Sequence, residues 1–123
     1  MANQTLNAMI LTAASANANG TDITNPSGRS AVVVIDITAI TGTTPTCVVT
    51  VQGKDPISGK YYTILASASL TATGTTVLRI DPSLTAAANL VAADLMPAEF
   101  RVIATIGGTT PAVTATVGVC LLG

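Results

Sequence analysis

Apolar and polar residues alternate along most of this chain, which is the pattern of strands that are buried on one face. The clearest case is residues 30–40, where the odd positions are all apolar and the even positions include Asp36 and Thr38. We therefore predict a half-buried strand over these residues. Similar patterns predict further strands at residues 6–15, 46–55, 61–66, 76–81, 98–106 and 112–122.

Segments rich in Gly, Pro, Asn and Asp separate these strands and predict turns. Asp55–Gly59 has the sharpest signal, because Pro56 fixes φ and the closing glycine can take a positive φ. We predict a second hairpin at Gly107–Pro111 and a turn at residues 40–45. Residues 83–93 are Ala-rich and predict one short helical turn in a crossover. The fold expected is all-β, an antiparallel β-sandwich of seven to eight strands that could close into a barrel.

The length of 123 residues fits one domain. We interpret residues 1–20 as an N-terminal strand or arm that belongs to the same domain or pairs with a neighbouring subunit. Residues 21–123 form the sandwich. No Lys or Arg precedes Arg29, and the apolar centre at residues 8–11 is short, so a strand is favoured over a signal peptide.

The charge content is low and changes the picture of the surface. Charged residues make up 9% of the chain, against about 25% in an average domain, and the net charge is −1. This composition disfavours binding to nucleic acid or to an anionic membrane, both of which need clustered Lys and Arg. Several positions predicted to face solvent are nevertheless apolar, which indicates a second buried face unless the register is shifted by one residue. These positions are Val32, Val34, Val48, Val77 and Ile103.

Candidate catalytic residues are scarce. The chain has no His, the commonest general base and metal ligand. Its acidic residues show neither the facing pair of a glycosidase nor a calcium-binding motif; they are Asp22, Asp36, Asp55, Asp81, Asp94 and Glu99. Cys47 and Cys120 are too few for a zinc site and are expected to be small apolar residues without a disulfide. We expect no enzymatic activity, no metal and no cofactor.

Four segments, at residues 40–62, 72–82, 84–89 and 96–102, together resemble small virion structural proteins of tailed bacteriophages, including cyanophages. The resemblance spans roughly residues 30 to 122. It implies a decoration or cement protein on the outer surface of the capsid, which binds the major capsid protein and itself, as a homodimer or homotrimer. No small-molecule substrate is implied.

Two alternatives stay open. Similar phage proteins also occur in tails and at head–tail joints. A carbohydrate-binding sandwich would use Tyr61, Tyr62 or Phe100, although adjacent tyrosines on a strand point to opposite sides.

Two exposed loops are the candidate contacts with the shell or a sister subunit, because binding residues concentrate on loops. Lys54, Asp55 and Lys60 give the first loop a charge cluster in a chain with few charges. The candidate residues are Lys54, Asp55, Pro56, Ile57, Ser58, Gly59 and Lys60 in the first loop, and Gly107, Gly108, Thr109, Thr110 and Pro111 in the second.

Overall fold

The computed structural model of the protein describes residues 4–25 and 28–122. Every regular element in this part of the chain is a β-strand, which confirms the predicted all-β class. The strands are β1 (Gln4–Ala14), β2 (Ala18–Asn19), β3 (Ile23–Thr24), β4 (Ser30–Lys54), β5 (Tyr61–Ala66), β6 (Gly74–Ile80), β7 (Val91–Ala92) and β8 (Glu99–Leu122).

Two long strands organise the sheet. β4 has 25 residues and β8 has 24, and they pair antiparallel from Ser30 with Leu122 to Gly53 with Phe100. β1, β2 and β3 pair with β8, and β5 and β6 pair with β4. β7 adds a short parallel pairing to β6. Residues 4–24 therefore pair within their own chain, while residues 1–3 lie outside the described part.

The eight strands of the described residues belong to one sheet, and β4 and β8 carry matched positive-φ residues halfway along. Because buried residues from both halves of these two strands form one core, the sheet must fold back on itself at this point. We call residues 41–46 of β4 and 107–111 of β8 the bend. Gly42 and Gly108 have φ of 121° and 106°, and each is followed two positions later by a threonine with positive φ. A Cβ on Gly108 would lie 2.7 Å from the carbonyl oxygen of Thr44. Glycine is therefore needed where the two backbones approach most closely.

The bend corrects two sequence-based expectations. Gly107–Pro111 was predicted to be a hairpin and residues 40–45 a turn, but both segments are internal parts of continuous strands. Thr43 pairs with Thr109 and Thr46 with Gly107, so neither β4 nor β8 reverses direction there. The glycines and prolines redirect strands that keep the same partner on both sides of the bend.

Folding the sheet produces two layers that share one core. The first layer contains β1, residues 30–40 of β4, residues 112–122 of β8, β6 and β7. The second contains β2, β3, residues 46–54 of β4, residues 99–106 of β8, and β5. Buried residues from both layers form one apolar cluster, in which Phe100, Ile35 and Leu78 have no exposed surface. The predicted inward register is confirmed here, apart from Ala39, which a bulge after Ile37 leaves exposed.

The predicted helical turn at residues 83–93 is wrong. Asp81 Oδ1 accepts the backbone N–H of Ser83 at 2.7 Å, which makes a turn instead of starting a helix. Asn89 has φ of 62°, and Ala87 and Val91 exchange backbone hydrogen bonds across it. The Asn89 side chain also donates to the carbonyl of Ala66 at 3.0 Å. Contacts with the sheet thus override the helix propensity of the alanines.

Candidate functional site

The two predicted contact loops lie at opposite ends of the molecule. Both layers end near residues 24, 30, 54 and 99, where Asn25 N–H donates to Ala98 O at 2.8 Å and Met96 N–H to Arg29 O at 3.1 Å. We call this the open end, and it is opposite the bend. Seven residues of β4 separate the two loops, so they are about 23 Å apart. The structure does not bring them together into one site.

The open end and the bend also differ in their content of charged residues. Of the eleven charged residues, all but Asp36 lie at or within a few residues of the open end. The bend has no charged residue, because residues 41–46 and 107–111 are all Thr, Gly or Pro. Within it Gly108, Thr109 and Thr110 are exposed, while Gly107 and Pro111 are half-buried. The bend therefore offers hydroxyl and methyl groups, and the open end offers charge.

The loop at the open end is a tightly hydrogen-bonded hairpin, which we call the Lys54–Lys60 hairpin. Asp55 N–H donates to Lys60 O at 2.8 Å, and Gly59 N–H donates to Asp55 O at 2.9 Å. The Asp55 carboxylate accepts the N–H of Ile57 at 3.0 Å and the hydroxyl of Ser58 at 2.7 Å. These bonds hold the pKa of Asp55 below its ordinary value, with the Ser58 hydroxyl as the largest cause. Asp55 therefore preorganises the turn Asp55–Gly59.

Ile57 stands at the tip of this hairpin and is 92% exposed. A single exposed apolar residue is common in soluble proteins. Here, however, the most exposed large hydrophobic side chain in the described part of the chain sits on a turn held by several hydrogen bonds. Burying it in a partner would cost little conformational entropy, because the turn is already ordered.

A groove of about 370 Å³ lies beside the hairpin. Tyr62 forms one wall and is 49% exposed, and its ring lies across Gly53 so closely that a Cβ there would overlap it. Pro56 and Pro97 line the groove as well, with Lys54 and Glu99. The open end thus combines an exposed apolar tip with a partly apolar groove.

A polar cluster forms on the outer face of the second layer, behind the hairpin. Lys54 Nζ donates to Asp22 Oδ2 at 2.7 Å and lies 3.8 Å from Glu99 Oε2. The Tyr61 hydroxyl donates to Asp22 Oδ1 at 2.6 Å. The Arg101 guanidinium lies over the Tyr61 ring, 3.6 Å from its centre. We call these residues the Asp22 cluster.

The electrostatics of the Asp22 cluster fit a fixed ion pair. The hydrogen bond from Lys54, followed by that from Tyr61, holds the pKa of Asp22 below its ordinary value. The same contact with Asp22 raises the pKa of Lys54. A general acid or base needs a pKa near the working pH, and these shifts move both groups away from it. The cluster braces the base of the hairpin.

The same contacts bear on sugar recognition. Tyr61 and Tyr62 do point to opposite sides, as their adjacency requires. Arg101 covers one face of the Tyr61 ring, whereas Tyr62 is half exposed at the groove. Phe100 is fully buried and has no exposed face to offer a ligand.

Sequence reasoning found the hairpin but missed most of the Asp22 cluster. Lys54 carried a charge signal. Arg101 pairs with Gln52 across the two long strands, and its Nε donates to Gln52 Oε1 at 2.9 Å. Finding this pair requires the β4–β8 register. Asp22 lies in a separate, irregular segment that carried no signal.

Three of the predicted outward apolar residues, Val32, Val34 and Val77, lie on the outer face of the first layer, so a register shift is excluded. Val33 is fully buried, whereas its neighbours Val32 and Val34 lie on the opposite face and are half-buried or exposed. Val77 lies beside Val34 on the same face, and Cys120 lies beside Val32. The two cysteines are free thiols, with Cys47 buried in the core.

Among residues 4–25 and 28–122, no group of three or more His, Cys, Asp or Glu side chains is arranged to hold a metal ion. The same residues contain no helix long and apolar enough to cross a membrane. Comparisons with protein-family models, with curated proteins and with solved structures found no match to this chain.

Proposed function

We propose that the protein is a non-enzymatic structural protein that decorates the outer surface of a bacteriophage capsid and stabilises the shell by binding its major capsid protein. The observation that carries the proposal is the preorganised Lys54–Lys60 hairpin, which presents Ile57 with 92% of its surface exposed. An ordered turn with an apolar tip and a charged base suits insertion into a neighbouring protein.

The body behind the hairpin supports this role. β4 and β8 run through both layers, and buried side chains from both layers share one apolar core. Such a body can transmit force between its contacts. A cement protein needs this rigidity, while its repeated weak contacts across a lattice supply the avidity.

Two measurements test the proposal. The first is the copy number in purified virions, by quantitative mass spectrometry against the major capsid protein. A ratio of one to one, or a simple lattice fraction, supports decoration. A few copies per particle would assign the protein to the tail or head–tail joint, and absence from particles would overturn the proposal.

The second measurement is rebinding of purified variants to heads that lack the protein. Ile57→Ser should reduce occupancy at least tenfold, because it removes the apolar tip and keeps the turn. Leu90→Ser is the matched control, since Leu90 is 50% exposed but lies outside the hairpin. Equal occupancy for Ile57→Ser and Leu90→Ser would remove the hairpin from the shell contact.

A carbohydrate-binding function is the second candidate, favoured only by the half-exposed ring of Tyr62 at the groove. Sugar modules commonly stack an aromatic side chain on the sugar ring. A glycan array with wild type and Tyr62→Ala tests it. Binding that disappears in Tyr62→Ala would support this function, and no binding by the wild type would reject it.

A further inference from the structure

We infer that the outer face of the first layer binds a second copy of this chain, in a symmetric dimer whose strands run antiparallel across the interface. This self-association occurs in solution and does not depend on capsid binding.

The face is built from three rows of side chains across the sheet. The middle row contains Asn7, Gly118, Val34 and Val77. The row toward the open end contains Thr5, Cys120, Val32 and Arg79. The row toward the bend contains Ile10, Thr116, Asp36 and Thr75.

The centre of this face is small and apolar, whereas the outer face of the second layer carries the Asp22 cluster. Val34 is 37% exposed and Ile10 62% exposed. Small apolar residues, Val32, Val34, Val77, Gly118 and Cys120, lie at the centre with Thr, Asn and two charged residues around them, and an apolar centre with a polar rim is typical of surfaces that bind another protein.

The charges identify the partner. Arg79 lies one row toward the open end from Val34, and Asp36 lies one row toward the bend. The two salt bridges in the described part of the chain join Lys54 to Asp22 and to Glu99. Within that part, neither Arg79 nor Asp36 is in a salt bridge. They are about 13 Å apart along the strands, too far to pair with each other.

A two-fold axis in the plane of the face, running across the strands through the Val34 row, exchanges the two outer rows. Arg79 of one copy then faces Asp36 of the other, and the reverse pair forms by symmetry. The two residues lie on adjacent strands, and the offset of about 4.8 Å is within reach of an arginine side chain. Val34 and Val77 meet their own copies near the axis. The face is therefore complementary to itself in charge.

The small size of the face indicates a weak dimer. Four strands over about seven residues cover roughly 20 by 23 Å, so the two copies together bury about 900 Å². Interfaces below about 1,200 Å² are characteristically weak. We expect a reversible dimer that populates with rising concentration. In such a dimer the two Lys54–Lys60 hairpins lie at opposite ends, which suits a protein that links two neighbouring shell subunits.

A charge exchange tests the inference on the full-length chain by sedimentation equilibrium over a wide concentration range. The wild type should approach twice the monomer mass. Arg79→Asp or Asp36→Arg alone should weaken dimerisation at least tenfold, because like charges then face each other. The double variant Asp36→Arg, Arg79→Asp should restore it to within about threefold, since opposite charges again face each other.

Lys60→Asp is the control, because Lys60 is exposed on the hairpin and outside the face. It should leave dimerisation unchanged, and circular dichroism should show that all variants are folded. A wild type that stays monomeric at the highest concentration overturns the inference, as does a double variant that stays monomeric while the wild type dimerises. If the wild type is monomeric and Arg79→Asp loses capsid occupancy, the face belongs to the shell contact. Self-association is then rejected while the proposed function survives.

Discussion

The Lys54–Lys60 hairpin and the bend both contain Gly, Pro and hydroxyl side chains, but they redirect the chain in different ways. Only the hairpin also carries charged residues. In the hairpin, Lys54 pairs with Tyr61, so the chain reverses and the loop is local. In the bend, the pairing partners are 66 positions apart, as with Thr43 and Thr109. Turn-forming residues therefore mark a change of direction, and the partner strand decides whether the chain reverses or a continuous strand folds.

This difference predicts that the bend is essential for folding and that the hairpin is replaceable. The bend lies between the layers, and every core contact across them depends on its geometry. The hairpin depends on its own hydrogen bonds and the Asp22 cluster. Matched substitutions at the two places should separate these roles.

The largest difference is expected between Gly108→Ala and Gly59→Ala. At Gly108, φ is 106° and a Cβ would lie 2.7 Å from Thr44 O and 2.9 Å from Pro45 Cα, both on the partner strand. At Gly59, φ is 73° and no atom lies within 4 Å of the added Cβ. We expect Gly108→Ala to lower the free energy of unfolding by about 3 kcal/mol or more, and Gly59→Ala by about 1 kcal/mol. Equilibrium urea denaturation measures both. Equal losses would contradict the distinction between bend and hairpin.

A smaller difference is expected between two serines. Ser67 directly follows β5 and is only 3% exposed. Its Oγ accepts the N–H of Val49 at 3.0 Å. Ser67→Ala leaves that N–H without its partner, which should cost about 2 kcal/mol. Ser58→Ala removes an exposed contact at the hairpin tip and should cost less than about 0.5 kcal/mol. The same denaturation series checks this, and a larger loss for Ser58→Ala would reverse the comparison.

Local patterns predicted the strands well because alternation is a property of neighbouring residues. Val33, Ile35 and Val49 face the core as their spacing requires. Alternation carries no information about which strand lies alongside, so the continuity of β4 and β8 through the bend was missed. One signal was present: Gly-Thr-Thr-Pro occurs twice, at residues 42–45 and 108–111. The structure pairs these two copies with each other and gives their glycines and second threonines the same φ pattern.

The candidate site divides in the same way. Asp55–Gly59 was predictable because its turn is fixed by residues within the loop. The Asp22 cluster was not, since Asp22, Lys54 and Arg101 meet through three separate strands or segments. The apolar first-layer face was predictable from alternation, but its pairing of Arg79 with Val32 and of Asp36 with Thr75 required the β4–β6 register.

The smallest expected effect is a local response to acid that only the hairpin should show. The pKa of Asp55 is held below its ordinary value of 3.8 by the Ser58 hydroxyl and the Ile57 N–H. The pKa of Asp55 is lower in the folded chain than in the unfolded chain. The ionised carboxylate therefore stabilises the hairpin at pH values above the ordinary pKa. That stabilisation is lost as the pH falls through the folded pKa. The bend contains no ionisable side chain.

NMR spectra recorded while the pH is lowered from 6 to below about 4 should therefore show the amide signals of Ile57 and Ser58 moving together, while those of Gly42 and Gly108 stay in place. Asp55→Asn removes the titrating group and should abolish the movement at Ile57. Asp81 is a built-in comparison, because its pKa is lowered as well, mainly by the Ser83 hydroxyl, at a site away from the hairpin. If the bend signals moved in step with the hairpin, the two regions would be one cooperative unit. The hairpin would then owe its order to the whole fold and not to Asp55.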